Sequence, residues 1–181
     1  MTIKESKPLD RMFFDRPSDL EKQAALFLKQ GLEAEKKRDF EAAVIAYKQA
    51  MALNPTHKEI WYFIHNNLGY SLNQIGEFEE GEKYCRVAIQ INPNLSNAHK
   101  NLGLALAGQD KNADAAKSYV RAIEATPGDT RSLVLLLKLL QAHPELKSEF
   151  QADADRCEQL SKKACGVDPM AIFVPQKDDG R

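Results

Sequence analysis

"NNLGYSLNQIGEFEEGEKYCRVAIQINPN", residues 66–94, has a grammar that returns downstream as "NLGLALAGQDKNADAAKSYVRAIEATPG" (101–128) and upstream, worn, as "KQGLEAEKKRDFEAAVIAYKQAMALNPT" (29–56). Counting back from Pro55, Pro93 and Pro127 gives three windows of 34 residues, 24–57, 62–95 and 96–129, each with its proline at position 32. Position 8 is then Gly31, Gly69 and Gly103, and position 20 is Ala43, Gly81 and Ala115. Position 24 is Tyr47, Cys85 and Tyr119; position 27 is Ala50, Ala88 and Ala122.

Such columns predict two antiparallel helices per window, A then B, crossing closely and stacking on the next pair. Small residues at positions 8 and 20 leave room where A meets B, and alanine at 27 faces the following A helix. Proline ends helix B, because it has no N–H to donate and clashes with the preceding turn. The pattern resembles the tetratricopeptide repeat family, whose 34-residue unit runs Leu-Gly, aromatic, Ala, aromatic, Pro. The resemblance covers 24–129 apart from the four residues "KEIW" (58–61) and implies an all-α, right-handed superhelix of stacked helix pairs.

Outside the windows, "TRSLVLLLKLLQAH" (130–143) begins a fourth A helix in which Leu137 replaces the small residue, so this helix is expected to pack differently. The stretch "PELKSEFQADADRCEQLSKKACG" reads as the solvated cap that a stacked array needs at an open end. The expected organisation is an N-terminal extension (1–17), a repeat domain (18–166, capping helices 130–166) and a C-terminal tail (167–181). Ser18 and Glu21 have capping-box spacing, which starts the first helix just after Ser18. Met12, Phe13 and Phe14 in the extension are expected to lie against the first repeat. The insertion "KEIW" is accommodated most cheaply as an extra turn at the start of helix 2A, carrying Trp61, the single tryptophan, either over the seam between repeats 1 and 2 or as a lip on a groove. In the tail, Met170 to Val174 lies between Pro169 and Pro175, too short for a useful helix, and packs on the cap or sits in a groove, its own or a neighbour's.

Composition narrows the function classes. Lys plus Arg total 25 against 26 Asp plus Glu, so no net field favours nucleic acid or an anionic membrane. No apolar run reaches signal-peptide or membrane-spanning length, and the chain reads as cytoplasmic. Cys85, Cys157 and Cys165 are too scattered for a disulfide framework or a zinc site and read as reduced, partly buried thiols. His65 and His99 fall at the same window position, 4, but no third ligand has an evident spacing toward them, so they are expected to pack A against B rather than to hold a metal. With no phosphate loop and no nucleophile elbow, neither enzyme chemistry nor a cofactor is expected.

The resemblance further implies that the A helices line a concave surface that binds an extended peptide or a partner helix. At the family's groove positions this chain has Phe63, Asn66, Asn67, Tyr70 and Asn73 in repeat 2, and Asn97, Lys100, Asn101 and Leu104 in repeat 3. The fourth A helix adds Arg131, Val134 and Lys138, and repeat 1 adds Leu28 and Leu32. Asparagine carries a donor and an acceptor on a short side chain, which suits a peptide backbone. One subset of the family grips the C-terminal carboxylate of heat-shock chaperones with lysine, arginine and asparagine. This chain matches that clamp only at Asn67, since Leu28, Leu32, Asn97 and Asn101 stand where the others should be. The expectation is therefore an adaptor or co-chaperone-like binder of some other protein segment. The alternative is a homo-oligomer assembled through the array's end surface or its apolar tail.

Overall fold

The structure, a computed structural model, describes residues 19–166. Ser18, the Met12–Phe14 cluster and the 167–181 tail therefore lie outside the described residues. The described residues form helices α1 (Asp19–Lys36), α2 (Phe40–Ala52), α3 (Lys58–Gln74), α4 (Phe78–Ile91), α5 (Ser96–Ala107), α6 (Asn112–Ala125), α7 (Arg131–Ala142) and α8 (Lys147–Cys165), with one short 3-10 turn at Pro144–Leu146. Helices α1/α2, α3/α4 and α5/α6 are the three A/B pairs. The inserted "KEIW" does lengthen helix 2A at its start, because α3 begins at Lys58. Trp61, half-buried on that first turn, packs on His65 of its own helix with ring centroids 4.9 Å apart.

The glycine column has a sharper cause than small-against-small. A Cβ on Gly31 would lie 2.3 Å from the Tyr47 ring, one on Gly103 2.4 Å from the Tyr119 ring, and one on Gly69 2.6 Å from the Cys85 sulfur. Position 8 thus receives the position-24 side chain of its own B helix, and Tyr47, Cys85 and Tyr119 are all buried there. Ala50, Ala88 and Ala122 are buried as well, where each B helix meets the next A helix.

A further column is invisible as a residue type. Position 15 of each window, at the A–B turn, is Arg38, Gly76 and Asp110, with φ of 61°, 86° and 58°. In each turn the next N–H bonds back to a carbonyl five residues earlier: Asp39 to Ala34 (3.0 Å), Glu77 to Leu72 (3.0 Å) and Lys111 to Leu106 (2.9 Å). This is the left-handed ending that satisfies the orphan carbonyls of a helix C-terminus. Only the second repeat uses glycine for it.

One apolar core runs through α4–α8, around Tyr119, Ile123, Leu133, Leu136 and Phe150, and another joins α1–α4 around Tyr47, Ile64 and Leu68. On the A side, α1 approaches α3 and α3 approaches α5, whereas α7 packs on α6 and α8 and hardly approaches α5. Leu137, partly buried against the core, stands where the other A helices carry glycine, and α7 does pack differently. The exposed stretches of α8 face solvent beyond Phe150, Ala154 and Cys157, which are buried. Burial pushes the Cys85 thiol up to about 12 and Cys157 up to about 11, so both behave as small apolar core residues.

Candidate functional site

The candidate groove residues divide into three sets. Asn66, Asn73 and Asn101 are buried and engaged within the protein. Asn101 Nδ2 donates to Asn66 Oδ1 (3.1 Å) and, at 3.4 Å, to the Asn66 carbonyl; Asn73 Nδ2 donates to the Asn101 carbonyl (2.8 Å). Asn66 Nδ2 in turn donates to Asn67 Oδ1 (2.8 Å). These amides tie α3 to α5, which removes three of the ten predicted contact residues from the accessible face. Sequence position alone does not separate Asn66 from its half-buried neighbour Asn67, although a one-residue step on a helix turns a side chain by about 100°.

The second set is Phe63, Leu104 and Lys138. Phe63 is 48% exposed, packs edge-on against Tyr62 (5.3 Å) and lines a cavity of about 240 Å³ with Ile91 and Leu95. It lies seven residues, about two helical turns, before Tyr70 on α3. Leu104 packs partly against the core, and Lys138 is exposed on α7.

The third set is brought together. Tyr70 meets Phe40 edge-to-face, centroids 6.0 Å apart, and Arg38 lies over the other reach of Phe40 at 5.9 Å. Burial first, then the Glu35 carboxylate, raises the Tyr70 phenol, with Arg38 and Arg131 acting the other way. Arg131 is clamped by Asp129, through Nε to Oδ1 (2.8 Å) and Nη2 to Oδ2 (2.5 Å), and also donates to Asn97 Oδ1 (3.3 Å). The cationic end read from the sequence is thus partly neutralised. Asp129 was missed there, though an aspartate two residues before a helix start readily forms an Asx-turn, and its Oδ1 does accept from the Arg131 N–H (3.2 Å). Lys100 differs. It is half-buried and no carboxylate forms an ion pair with it among the described residues; burial, then Arg131, pulls its ammonium below the usual lysine value, against Asp129.

The two histidines each hold a backbone carbonyl, His65 Nδ1 that of Trp61 (2.7 Å) and His99 Nε2 that of Pro93 (2.8 Å). Each of those nitrogens therefore carries the proton. His65 also faces Tyr84 of its B helix at 5.9 Å, the packing role expected of it. Among the described residues no three His, Cys, Asp or Glu side chains converge as metal ligands, and no helix is long and apolar enough to cross a membrane.

Stacked A/B pairs with a row of A helices on one side define a helical-repeat solenoid. A family model described as tetratricopeptide repeat matches residues 28–96, so this part of the chain carries tetratricopeptide repeats. It is similar to the small glutamine-rich tetratricopeptide repeat-containing protein 2 of Mycosarcoma maydis, 29% identical over 140 residues, covering 77% of this chain and 38% of that one. It is also similar to the E3 ubiquitin-protein ligase CHIP of Arabidopsis thaliana, 34% identical over 89 residues, 49% of this chain and 31% of the relative. The chain thus spans well under half the length of these curated relatives. Among solved structures, the first TPR of Spaghetti (RPAP3) bound to the HSP90 peptide SRMEEVD superposes with a TM-score of 0.60 at 22% identity, over 67% of this chain and 94% of that one. The Hsp90 co-chaperone Cns1 from Saccharomyces cerevisiae gives 0.65 at 20% identity, over 81% and 47%.

Proposed function

We propose that the chain is a non-catalytic protein-interaction module of the adaptor or co-chaperone kind, resident in the cytoplasm, which holds an extended partner segment across its A helices. The observation that carries the reading is Lys100, a half-buried cation that forms no ion pair among the described residues, on the same face as Asn67 and Tyr70. A partly buried charge is costly unless matched, and the nearby Asp129 is committed to Arg131, so an acidic side chain or terminal carboxylate of a ligand would complement Lys100. Asn67 offers its amide to the ligand backbone and Tyr70 an aromatic edge. Asn66, Asn73 and Asn101 support that face from beneath instead of touching the ligand. Two structures of the same fold, one bound to an HSP90 peptide and one an Hsp90 co-chaperone, are in keeping with a protein ligand, while Leu28, Leu32, Asn97 and Asn101 argue for a tail other than theirs.

The test is direct binding. The peptide SRMEEVD is expected to bind this chain at least about tenfold more weakly than it binds a chain carrying the full clamp, since each lost charge-assisted contact is worth about 1.5 kcal/mol or more. A partner purified from native extract should then lose roughly 2 kcal/mol of affinity on Tyr70→Ala plus Lys100→Ala, with little change in melting temperature. Tight SRMEEVD binding, or a partner indifferent to the double substitution, overturns the reading. Self-association of the wild type seen by light scattering, with no peptide bound, would favour end-to-end assembly, for which Leu20, Leu26 and Ile45, each more than half exposed on α1 and α2, provide an apolar surface.

A further inference from the structure

The most distinctive cavity lies behind the A-helix face. About 360 Å³ opens between α4, α5 and α6, with Ile89 and Leu102 inside and Arg86, His99, Lys117 and Arg121 around it. Its lining holds three full cations and no carboxylate. Each cation does have a partner on its own helix: Glu82 for Arg86, Asp114 for Lys117 at 3.4 Å, Glu124 for Arg121 at 3.3 Å. Arg86 stays with the largely buried Glu82, but the Lys117 and Arg121 side chains are 59 and 70% exposed, and ion pairs this wet hold little energy, so a ligand can displace those two. An apolar floor inside a cationic rim calls for an apolar anchor flanked by acids.

The chain itself supplies such a segment. In "VDPMAIFVPQKDDGR" (167–181), Met170 to Val174 is an apolar run with Asp168 on one side and Asp178 and Asp179 on the other, and the stretch carries a net charge of −1 once Lys177 and Arg181 are included. We propose that this tail docks in cis into the outer pocket, with Ile172 and Phe173 on Ile89 and Leu102 and its acids toward the basic rim. Reach permits it. Helix α8 ends beside the α6–α7 turn, where the Cys165 thiol lies 3.7 Å from the Gly128 carbonyl, and Gly166, at φ 70°, turns the chain off the helix axis. Arg121 is seven residues before Gly128, on the order of 10 Å along α6 at 1.5 Å per residue. Met170 and Val174, four and eight residues past Gly166, reach about 13 and 26 Å at full extension, which brackets the span. Covalent attachment adds a millimolar-order effective concentration, enough for one weak anchor.

None of Asn67, Tyr70 and Lys100 lines this pocket, so its fate is independent of the partner-binding reading. The experiment uses the full chain with Phe173 replaced by a photoreactive phenylalanine. Irradiation at low micromolar concentration is expected to give monomeric products cross-linked within 86–90, 99–102 or 117–121. Lys117→Glu plus Arg121→Glu should lower that yield by about tenfold, the equivalent of roughly 1.4 kcal/mol. In a parallel measurement that needs no cross-linker, Ile172→Ser plus Phe173→Ser should shift the amide resonances of Ile89 and Leu102 while leaving Tyr70 and Lys100 unmoved. Cross-links to α8, to the A-helix face or to a second copy in a dimer would each overturn the proposal, as would amide resonances at Ile89 and Leu102 that ignore the tail substitutions.

Discussion

The two seams between successive repeats are both polar, but they are built from different chemistry. Between repeats 1 and 2 the joiners are carboxylates of α1. Buried Glu21 accepts from the Thr56 hydroxyl and N–H (3.1 Å) and the His57 N–H (3.2 Å) at the start of α3, and Glu35 accepts from Tyr47 (2.9 Å) and Ser71 (3.0 Å). Between repeats 2 and 3 the inner joiners are the amides of Asn66, Asn73 and Asn101, and a carboxylate, Glu82, appears only toward the outside, receiving Arg86, Gln109 (2.7 Å) and Lys111 (3.0 Å). Charge placed at a helix N-terminus gains from the dipole and from orphan N–H groups, which is where Glu21 sits. Midway along two packed helices there are no such donors, and neutral amides join them without a charge to desolvate. The lesson is that the same stacking geometry accepts either chemistry, according to what backbone groups the seam leaves open.

The largest effect should come from breaking a repeat rather than a seam, which sets the scale for the rest. Gly103→Leu drives a side chain into the Tyr119 ring and is expected to cost about 3 kcal/mol or more, with Gly69→Leu against Cys85 and the Gly81 backbone close behind. Ordinary thermal melting of both variants would mean that the repeat register is wrong. Within the seams, Glu21→Ala should cost about 2–3 kcal/mol by chemical denaturation and Asn101→Ala about 1–2, because bonds to a charged acceptor are the stronger kind. The reverse order would break the comparison.

Acid sharpens it further. Burial raises the Glu82 carboxyl, but hydrogen bonds from Arg86, Gln109 and Lys111 outweigh that and leave it at about 2, below the usual 4.5. Its contribution is therefore complete above pH 4.5 and is lost as pH falls toward 2, and Glu82→Gln should flatten that part of the stability profile by about 1–2 kcal/mol. Glu35 has the opposite sign. Burial dominates and raises its carboxyl despite the Tyr47 and Ser71 hydroxyls, so its contribution is greatest in acid and declines as pH rises through the folded value. Glu35→Gln should consequently be tolerated best near neutrality, within about 1 kcal/mol of wild type. The smallest effect touches neither seam: Asp110→Gly relieves a left-handed residue at an A–B turn and should stabilise by about 0.5–1 kcal/mol in the same denaturation experiment.

What was legible in the sequence follows from what each kind of constraint demands. A close crossing tolerates only a small residue, so Gly31, Gly69 and Gly103 announce themselves, as do the helix-ending prolines. The left-handed turns accept arginine, glycine or aspartate at modest strain, so the Arg38, Gly76 and Asp110 column leaves no common letter. Of the proposed face, Asn67, Tyr70, Lys100 and Arg131 were chosen from helix position, and all four are at least partly exposed. The inward turn of Asn66, Asn73 and Asn101 was not readable, because an amide reads alike on either side of a helix until its neighbours are known. Nor did residue type disclose that Asp129 holds Arg131, or that Phe40, at the start of α2, meets Tyr70 on α3.

Helix α7 has a mechanical consequence. Packed on α6 and α8 but with little close backbone approach to α5, which it meets through the Arg131–Asn97 hydrogen bond, it is held less evenly than α3, which both α1 and α5 approach. An array loaded across its A helices then behaves as a spring whose softest coil is the last, and bending concentrates at the α5–α7 gap before any core contact between the repeats has to open.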